Sequence, residues 1–316
     1  MGRLQLKTVP FREEHRQRVQ VFLNEHPFES IPLCYQDSKA GVTVVLERQG
    51  QIQGLATLRT NAFHPAFINL YFAVDLQNDK YVNELYDALH ILQKVPKPLE
   101  IVLNEVGSQA LRVFLESKAF SLTVTCECPL INLEKSLTSL AEIQAPLGFR
   151  IEPYDRLNEV EEKELRQFRR DGYQKTHFWN PPLSMESPLW QETDPNPKER
   201  EISWAVLSDG LIVLCSDLHL DGDKAHLGWG WHDDKLDDTA ELKQLWSKVL
   251  SLQMAYCQAK GLSLMGEFDS LDKYGQLKKS LLEFHCIDKY LIYQQGLQHL
   301  QTDMLPQVAL LRRESA

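Results

Sequence analysis

Between Asp217 and Asp234 the chain reads "DLHLDGDKAHLGWGWHDD", a stretch that gathers His219, His226 and His232 among five aspartates. Imidazole and carboxylate at this density are metal-ligand chemistry, yet an Asp-Gly turn between two alternating runs accounts for the pattern without an ion. The order of a calcium loop, with its closing glutamate, is missing too, and no metal is expected. His232 stands beside Asp233 and Asp234, whose charge would raise its pKa; a solvated turn residue is the simpler expectation. Trp229 and Trp231 alternate with glycines, so both rings leave one face of a strand, either to wall a pocket or, as expected here, to fill a core. Upstream, "QFRRDGYQKTHFW" combines Arg169, Arg170, Tyr173, His177 and Trp179, the most functional-looking surface in the sequence, although a charged helix end would also explain it. Cys126-x-Cys128 lies in an alternating run that puts both thiols on one side of a strand. Metal-type spacing and a second ligand pair are absent in sequence, so no site is expected there either.

These residues must be positioned by a chain of 316 residues, 43% hydrophobic and 25% charged, a globular composition with length for about two domains. A formal net charge of -10 argues against nucleic acid or an anionic membrane as partner. No run approaches the roughly eighteen apolar residues of a membrane span. The six scattered cysteines fit a reducing, cytoplasmic setting. Nucleophile-elbow, nucleotide-loop, zinc-protease and dinucleotide fingerprints are all missing.

Periodicity predicts the order β-α-β-β-β-α-β-α-β in the first half. Its hairpin turns at Gln49 to Gln51, its strand "INLYFAV" leads to a helix near Asp79 to Lys94, and "LEIVLNE" leads to "SQALRVFLESKAF" and a final strand pair. The second half repeats that order, with a hairpin at Asp209-Gly210 and a long helix ending on Gly261. The halves read as a tandem duplication, in domains 1–135 and 149–296 around a linker at 136–148, with a tail at 297–316. The Pro-rich segment Phe178 to Glu201 is long for a connection, and is read either as a lid or as an excursion packed on its own domain. Asp238-Thr239-Ala240-Glu241 reads as a capping-box variant with Asp238 as N-cap.

This order, together with "LNEVGSQALRVFLESKAF", "LGWGWHDD" and "YCQAKGLSLMGEFDS", resembles the GNAT superfamily of acyl-CoA N-acyltransferases in its tandem form. The resemblance covers nearly the whole chain as topology and implies an α/β (α+β) fold of two GNAT-like domains. Each would hold a mixed, mostly antiparallel twisted sheet flanked by helices. It further implies transfer of an acetyl group from acetyl-CoA to an amine on a small molecule or peptide. By position it points to Val74, Asn78, Lys80, Tyr81 and Asn104 in the first half, and Trp231 and His232 in the second, as contacts for the cofactor. His226 or Asp269 would serve as base and Tyr274 as acid, with Arg169, Tyr173, His177, Trp179 and Trp229 around the acceptor.

Two departures stand out. The family's glycine-rich pyrophosphate loop corresponds to "VDLQNDKYVNEL" and "WHDDKLDDTAEL", neither with a glycine, the second with four aspartates. At the family's tyrosine acid in the last helix stand Leu115 and Leu281. The competing expectation is therefore an inactive GNAT-fold module that binds a ligand or partner, for instance as a homodimer. Aminoacyl transfer from tRNA is disfavoured by the acidic charge.

Overall fold

The computed structural model describes residues 7–25, 41–74, 79–92, 98–105, 109–140, 143–184 and 186–296. Asn78 and the tail at 297–316 lie outside them. The described residues form β1 (Lys7–Pro10), α1 (Arg16–Glu25), β2 (Gly41–Arg48), β3 (Gln51–Thr60), β4 (Ile68–Val74), α2 (Asp79–Leu92), β5 (Leu99–Asn104), α3 (Gln109–Ser117) and β6 (Ser121–Ile131). There follow α4 (Leu133–Leu140), β7 (Phe149–Pro153), α5 (Glu159–Thr176), α6 (Pro197–Arg200), β8 (Trp204–Ser208), β9 (Leu211–Asp221) and β10 (Lys224–His232). The last elements are α7 (Ala240–Lys260), β11 (Ser263–Met265), β12 (Phe268–Asp269), α8 (Lys273–Ser280) and β13 (Phe284–Gln295).

Two compact units emerge, one of residues up to Val124 together with those from Tyr290 onward, the other of Thr125–Lys289. Their limits cut across the expected 1–135 and 149–296. The reason lies in strand pairing. In the first unit the sheet runs β1-β2-β3-β4-β5 and is closed by the end of β13, whose Tyr290 to Gln295 pair antiparallel with Asn104 to Leu99. In the second unit the order is β6-β11-β10-β9-β8-β7, and β6 also holds β12. Each unit thus takes its closing strand from the other half of the sequence.

Alternation along the strands decides what each face packs against. In the first unit Val44, Leu46, Ala56, Leu58, Phe72 and Val74 bury against α2 and α3, through Val82, Leu85, Leu89, Leu111 and Leu115. Intervening Val45, Leu55 and Ala73 face Val19 and Phe22 of α1. In the second unit Val206, Leu214, Leu218, Ala225 and Leu227 pack on α7, whose Leu245, Trp246, Val249, Leu250 and Met254 are buried. Each Val, Leu, Phe or Met among them contributes about 1.5–3 kcal/mol on leaving water.

Both expected hairpins close where the sequence marks them. Gln49 and Gly50 have φ of 54° and 77°, Asp209 and Gly210 φ of 51° and 82°, the paired left-handed geometry that matches strand twist. Elsewhere the elements differ from expectation. The final strand pair of the first half is a single strand, β6, and part of the expected linker is α4. Leu133, Leu137 and Leu140 recur there at helical spacing and pack on the second core, a stripe that the low mean hydropathy of the segment conceals.

The Pro-rich segment is packed on its own unit. Trp190 is buried and donates from Nε1 to the Ser184 carbonyl at 3.2 Å, and Glu199 accepts from the Leu220 backbone at 3.0 Å. Arg169, from α5, reaches it from inside. Its Nη1 donates to Asp194 at 2.7 Å, and Nη2 to the Thr193 carbonyl and to Asp217 at 2.8 Å each. Asp217 is fully buried and also accepts from the Tyr154 hydroxyl at 2.8 Å. Burial works against the Arg169 charge, but Asp217 outweighs it and holds the guanidinium ionised. No described helix is long and apolar enough to cross a membrane.

Candidate active site

The second unit opens where two parallel strands part. Lys224, Ala225 and His226 of β10 pair with Ser263, Leu264 and Met265 of β11. Beyond His226 the strands separate, because β11 follows β6 through Met265 opposite Leu130 and β12 continues on it through Phe268 opposite Glu127. On its other side β10 bulges against β9. Leu227 stands opposite Leu218 and Gly230 opposite Ser216, so Gly228 and Trp229 share the single position of Asp217. A bulge of this kind frees backbone groups from the ladder.

Into the gap opens a cavity of about 410 Å³ lined by His219, His226, Trp229, Trp231, Tyr173, His177, Glu267, Asp269, Asp272 and Lys278. One wall is aromatic. Tyr173 stacks on His177 at 3.7 Å between centroids and meets Trp229 at 4.3 Å, and Trp229 lies 5.9 Å from Trp231. Trp179 extends the row, 5.9 Å from His177. Gly172 makes this wall feasible, since a Cβ there would sit 2.4 Å from the Trp231 ring. The facing wall is acidic. Burial, with Glu267 adding to it, raises the Asp269 carboxyl to about 6, and burial also raises Asp272. Lys278 is 3% exposed and donates from Nζ to the Gly228 carbonyl at 3.1 Å; burial lowers its pKa against the pull of Asp272. A larger groove of about 810 Å³ lies beside α4 at the start of β11, the end away from the parting. The cavity carries the denser chemistry.

The loop after β10 is closed by its own ions. Asp234 accepts from the Tyr274 hydroxyl at 2.5 Å and pairs with Lys175 at 3.0 Å and Lys273 at 2.9 Å. Asp237 pairs with Lys273 at 2.7 Å and His232 at 2.8 Å. Burial opposes ionisation of both carboxyls, but these donors win and hold them below the usual range. The N-cap of α7 is Thr239, which accepts from Leu242 N at 3.1 Å, rather than the expected Asp238, whose φ of 61° is left-handed.

The sequence-derived residues therefore fall in different places. His226, Asp269, Tyr173, His177, Trp229 and Trp231 come together at the cavity, with Trp179 alongside. Arg169, expected near an acceptor, spends its donors on the Pro-rich segment and Asp217. His232 is buried, accepts at Nδ1 from the Trp246 indole at 3.2 Å and so donates from Nε2 to Asp237. Burial lowers its pKa, contrary to the rise expected from neighbouring carboxylates. Tyr274 is buried on Asp234, where burial and that carboxylate raise its pKa and make it a poorer acid. Asp272 caps α8, accepting from Tyr274 N at 3.0 Å.

In the first unit β4 and β5 part in the same way, after Asn69 opposite Glu100. Val74 is buried in the core, Tyr81 packs against it, and Asn104 ends β5. Lys80 is exposed and pairs with Glu84 at 3.5 Å. Sequence reasoning missed His219, Glu267, Asp272 and Lys278 as cavity residues. Helical spacing was the available signal for Lys278, which shares its face of α8 with Tyr274.

No protein-family model matches the chain, and no curated protein matches it in sequence. Solved structures do. A GCN5-related N-acetyltransferase from Sphaerobacter thermophilus superposes with a TM-score of 0.58 at 11% identity, over 92% of this chain and 95% of that one. A tandem GNAT protein from the clavulanic acid biosynthesis pathway does so with a TM-score of 0.53 at 11% identity, over 92% and 98%. Parted parallel strands in both units, and these likenesses across nearly the full length, establish the architecture: the chain has the tandem GNAT fold.

Proposed function

We propose that the chain is an N-acyltransferase whose acceptor amine binds in the cavity of the second unit. The observation that carries this reading is the parting of β10 from β11 at His226, which sets an imidazole beside a cavity with one aromatic and one acidic wall. An ammonium group is attracted both to ring faces and to carboxylates. His226 would take the proton the amine must lose before attack, the role imidazole most often fills in general base catalysis. Backbone N–H groups freed at the Gly228–Trp229 bulge would stabilise the developing oxyanion.

The family's donor, acetyl-CoA, supplies an activated acyl group. The open backbone edge of β10 suits its extended acyl-pantetheine end. The loop after β10 does not suit its pyrophosphate, because Asp234 and Asp237 already occupy the cations there. That closed loop favours a second reading, an amine-binding module without transfer.

Calorimetric titration of the full chain with acetyl-CoA, free CoA and a panel of primary amines separates the two. Heat and a thermal shift with both donor and amine support transfer. Binding of amine alone, with no response to acetyl-CoA at millimolar concentration, supports the module and ends the transfer reading.

A further inference from the structure

We propose a tetrahedral zinc site formed by Cys126, Cys128, Glu267 and Asp269, a reading that does not rest on acyl transfer, although Glu267 and Asp269 also line the cavity. Spacing along the chain gave no reason to expect a metal, because Cys126-x-Cys128 has no second ligand pair nearby in sequence. The fold supplies that pair from about 140 residues away. β6 and β12 run antiparallel with Asp269 opposite Cys126 and Phe268 opposite Glu127, and Met265 opposite Leu130 continues the same register. Glu267 therefore falls opposite Cys128. Because side chains alternate, Cys126, Cys128, Glu267 and Asp269 share one face as two cross-strand pairs. Glu127 and Phe268 take the other face, where Glu127 pairs with Lys279 and Lys289 and Phe268 is buried in the core.

Two of the contacts already match the edges a zinc ion requires. With Zn–S near 2.3 Å and Zn–O near 2.0 Å, a tetrahedral site has S···S edges of about 3.8 Å and S···O edges of about 3.5 Å. Cys126 Sγ lies 3.8 Å from Cys128 Sγ and 3.6 Å from Glu267 Oε1. The ligand atoms of Cys126, Glu267 and Asp269 all lie within 4.8 Å of one another; Cys128 touches this group through Cys126 and would complete it on binding. Two thiols and two carboxylates give a mixed sulfur and oxygen set, and thiolates favour zinc over magnesium or calcium. On binding, the thiols release their two protons to solvent and the sulfurs become ligands. The ion would tie β12 to β6 at the edge of the cavity. It would also engage Asp269 and so withdraw that carboxylate from the candidates for a base.

The test uses reduced, metal-depleted full-length protein titrated with Co²⁺ and, separately, Zn²⁺. The expected result is one Co²⁺ per chain, with a thiolate-to-cobalt charge-transfer band and the intense visible bands of tetrahedral cobalt, both displaced by Zn²⁺. Zn²⁺ should also raise the melting temperature. Cys126→Ser with Cys128→Ser should abolish the charge-transfer band, whereas Cys286→Ser, at an exposed thiol elsewhere, should leave it intact. Glu267→Gln with Asp269→Asn keeps both thiols and should weaken binding by at least about tenfold. The proposal is overturned if wild type shows no charge-transfer band. It is equally overturned if the band survives in the double serine variant, or if thiol titration shows Cys126 and Cys128 joined as a disulfide under the reducing conditions used.

Discussion

Replacing Asp234 and Asp237 together by asparagine should turn the closed loop after β10 into an anion site. In the native chain Asp234 and Asp237 share Lys273, at 2.9 and 2.7 Å, and Asp234 also holds Lys175 at 3.0 Å. Asparagine keeps an acceptor for Tyr274 and removes both charges, which leaves two ammonium groups at the loop where the fold family places a pyrophosphate. Each carboxylate held about 4 Å from a phosphate charge costs on the order of 1 kcal/mol even at the dielectric of water. Two removals then give about 2 kcal/mol, a gain of roughly thirtyfold in affinity. Folding should survive the change. Lys175 and Lys273 are 55% and 53% exposed, so the lost pairs are worth at most about 1 kcal/mol each. That corresponds to a fall of about 2–4 °C in melting temperature per kcal/mol for a unit of this size. Calorimetry with CoA and with inorganic pyrophosphate, at low and at high salt, reads the effect. Tighter binding that fades with salt is expected. Unchanged or weaker binding by a folded D234N/D237N chain would refute the idea that these carboxylates exclude the phosphate.

Gly172→Ala should cost about 1–3 kcal/mol by overpacking against Trp231, and near-UV circular dichroism should report displacement of the aromatic wall. Asp217→Ala removes the fully buried partner of Arg169 and leaves its charge to the partly exposed Asp194, which should cost up to about 3–5 kcal/mol; limited proteolysis should then cut within 178–201, where wild type resists. The folded-state pKa of His232 lies below its ordinary value of 6.5 because of burial. The unfolded chain therefore binds the proton first, and the stability this ring contributes above pH 6.5 is lost as pH falls through the folded pKa. Melting temperatures measured across that range should fall more steeply for wild type than for His232→Gln.

What the sequence revealed and what it concealed follow from the range of the interactions involved. The hairpin at Asp209-Gly210 was legible because two adjacent residues carry its left-handed geometry. The two-layer packing was legible from alternation in strands such as "VTVVLE" and helical spacing in α7. Exchange of closing strands was not, because the pairing of Tyr290 with Asn104 leaves no trace in the local pattern of either strand. The same limit governs the site. The resemblance pointed to His226 and Asp269 through their places on their strands, and both line the cavity, but the burial of Lys278 and the pairing of Arg169 with Asp217 depend on partners 50 and 48 positions away. The acidic loop was read as a helix cap, which is right in kind and one residue off in place. Its larger role, neutralising Lys175 and Lys273, depends on two other helices.

The most direct test of the account is to incubate the full chain with acetyl-CoA and the amine that binds most tightly in the calorimetric panel, and to follow N-acetylated product by mass spectrometry. Wild type should form product, and His226→Ala should lower the rate by about a hundredfold or more, the usual worth of a general base, while binding the same amine as well as before. Absence of product from wild type that binds both compounds, or an undiminished rate in His226→Ala, would contradict the assignment of the second-unit cavity as an acyltransferase site.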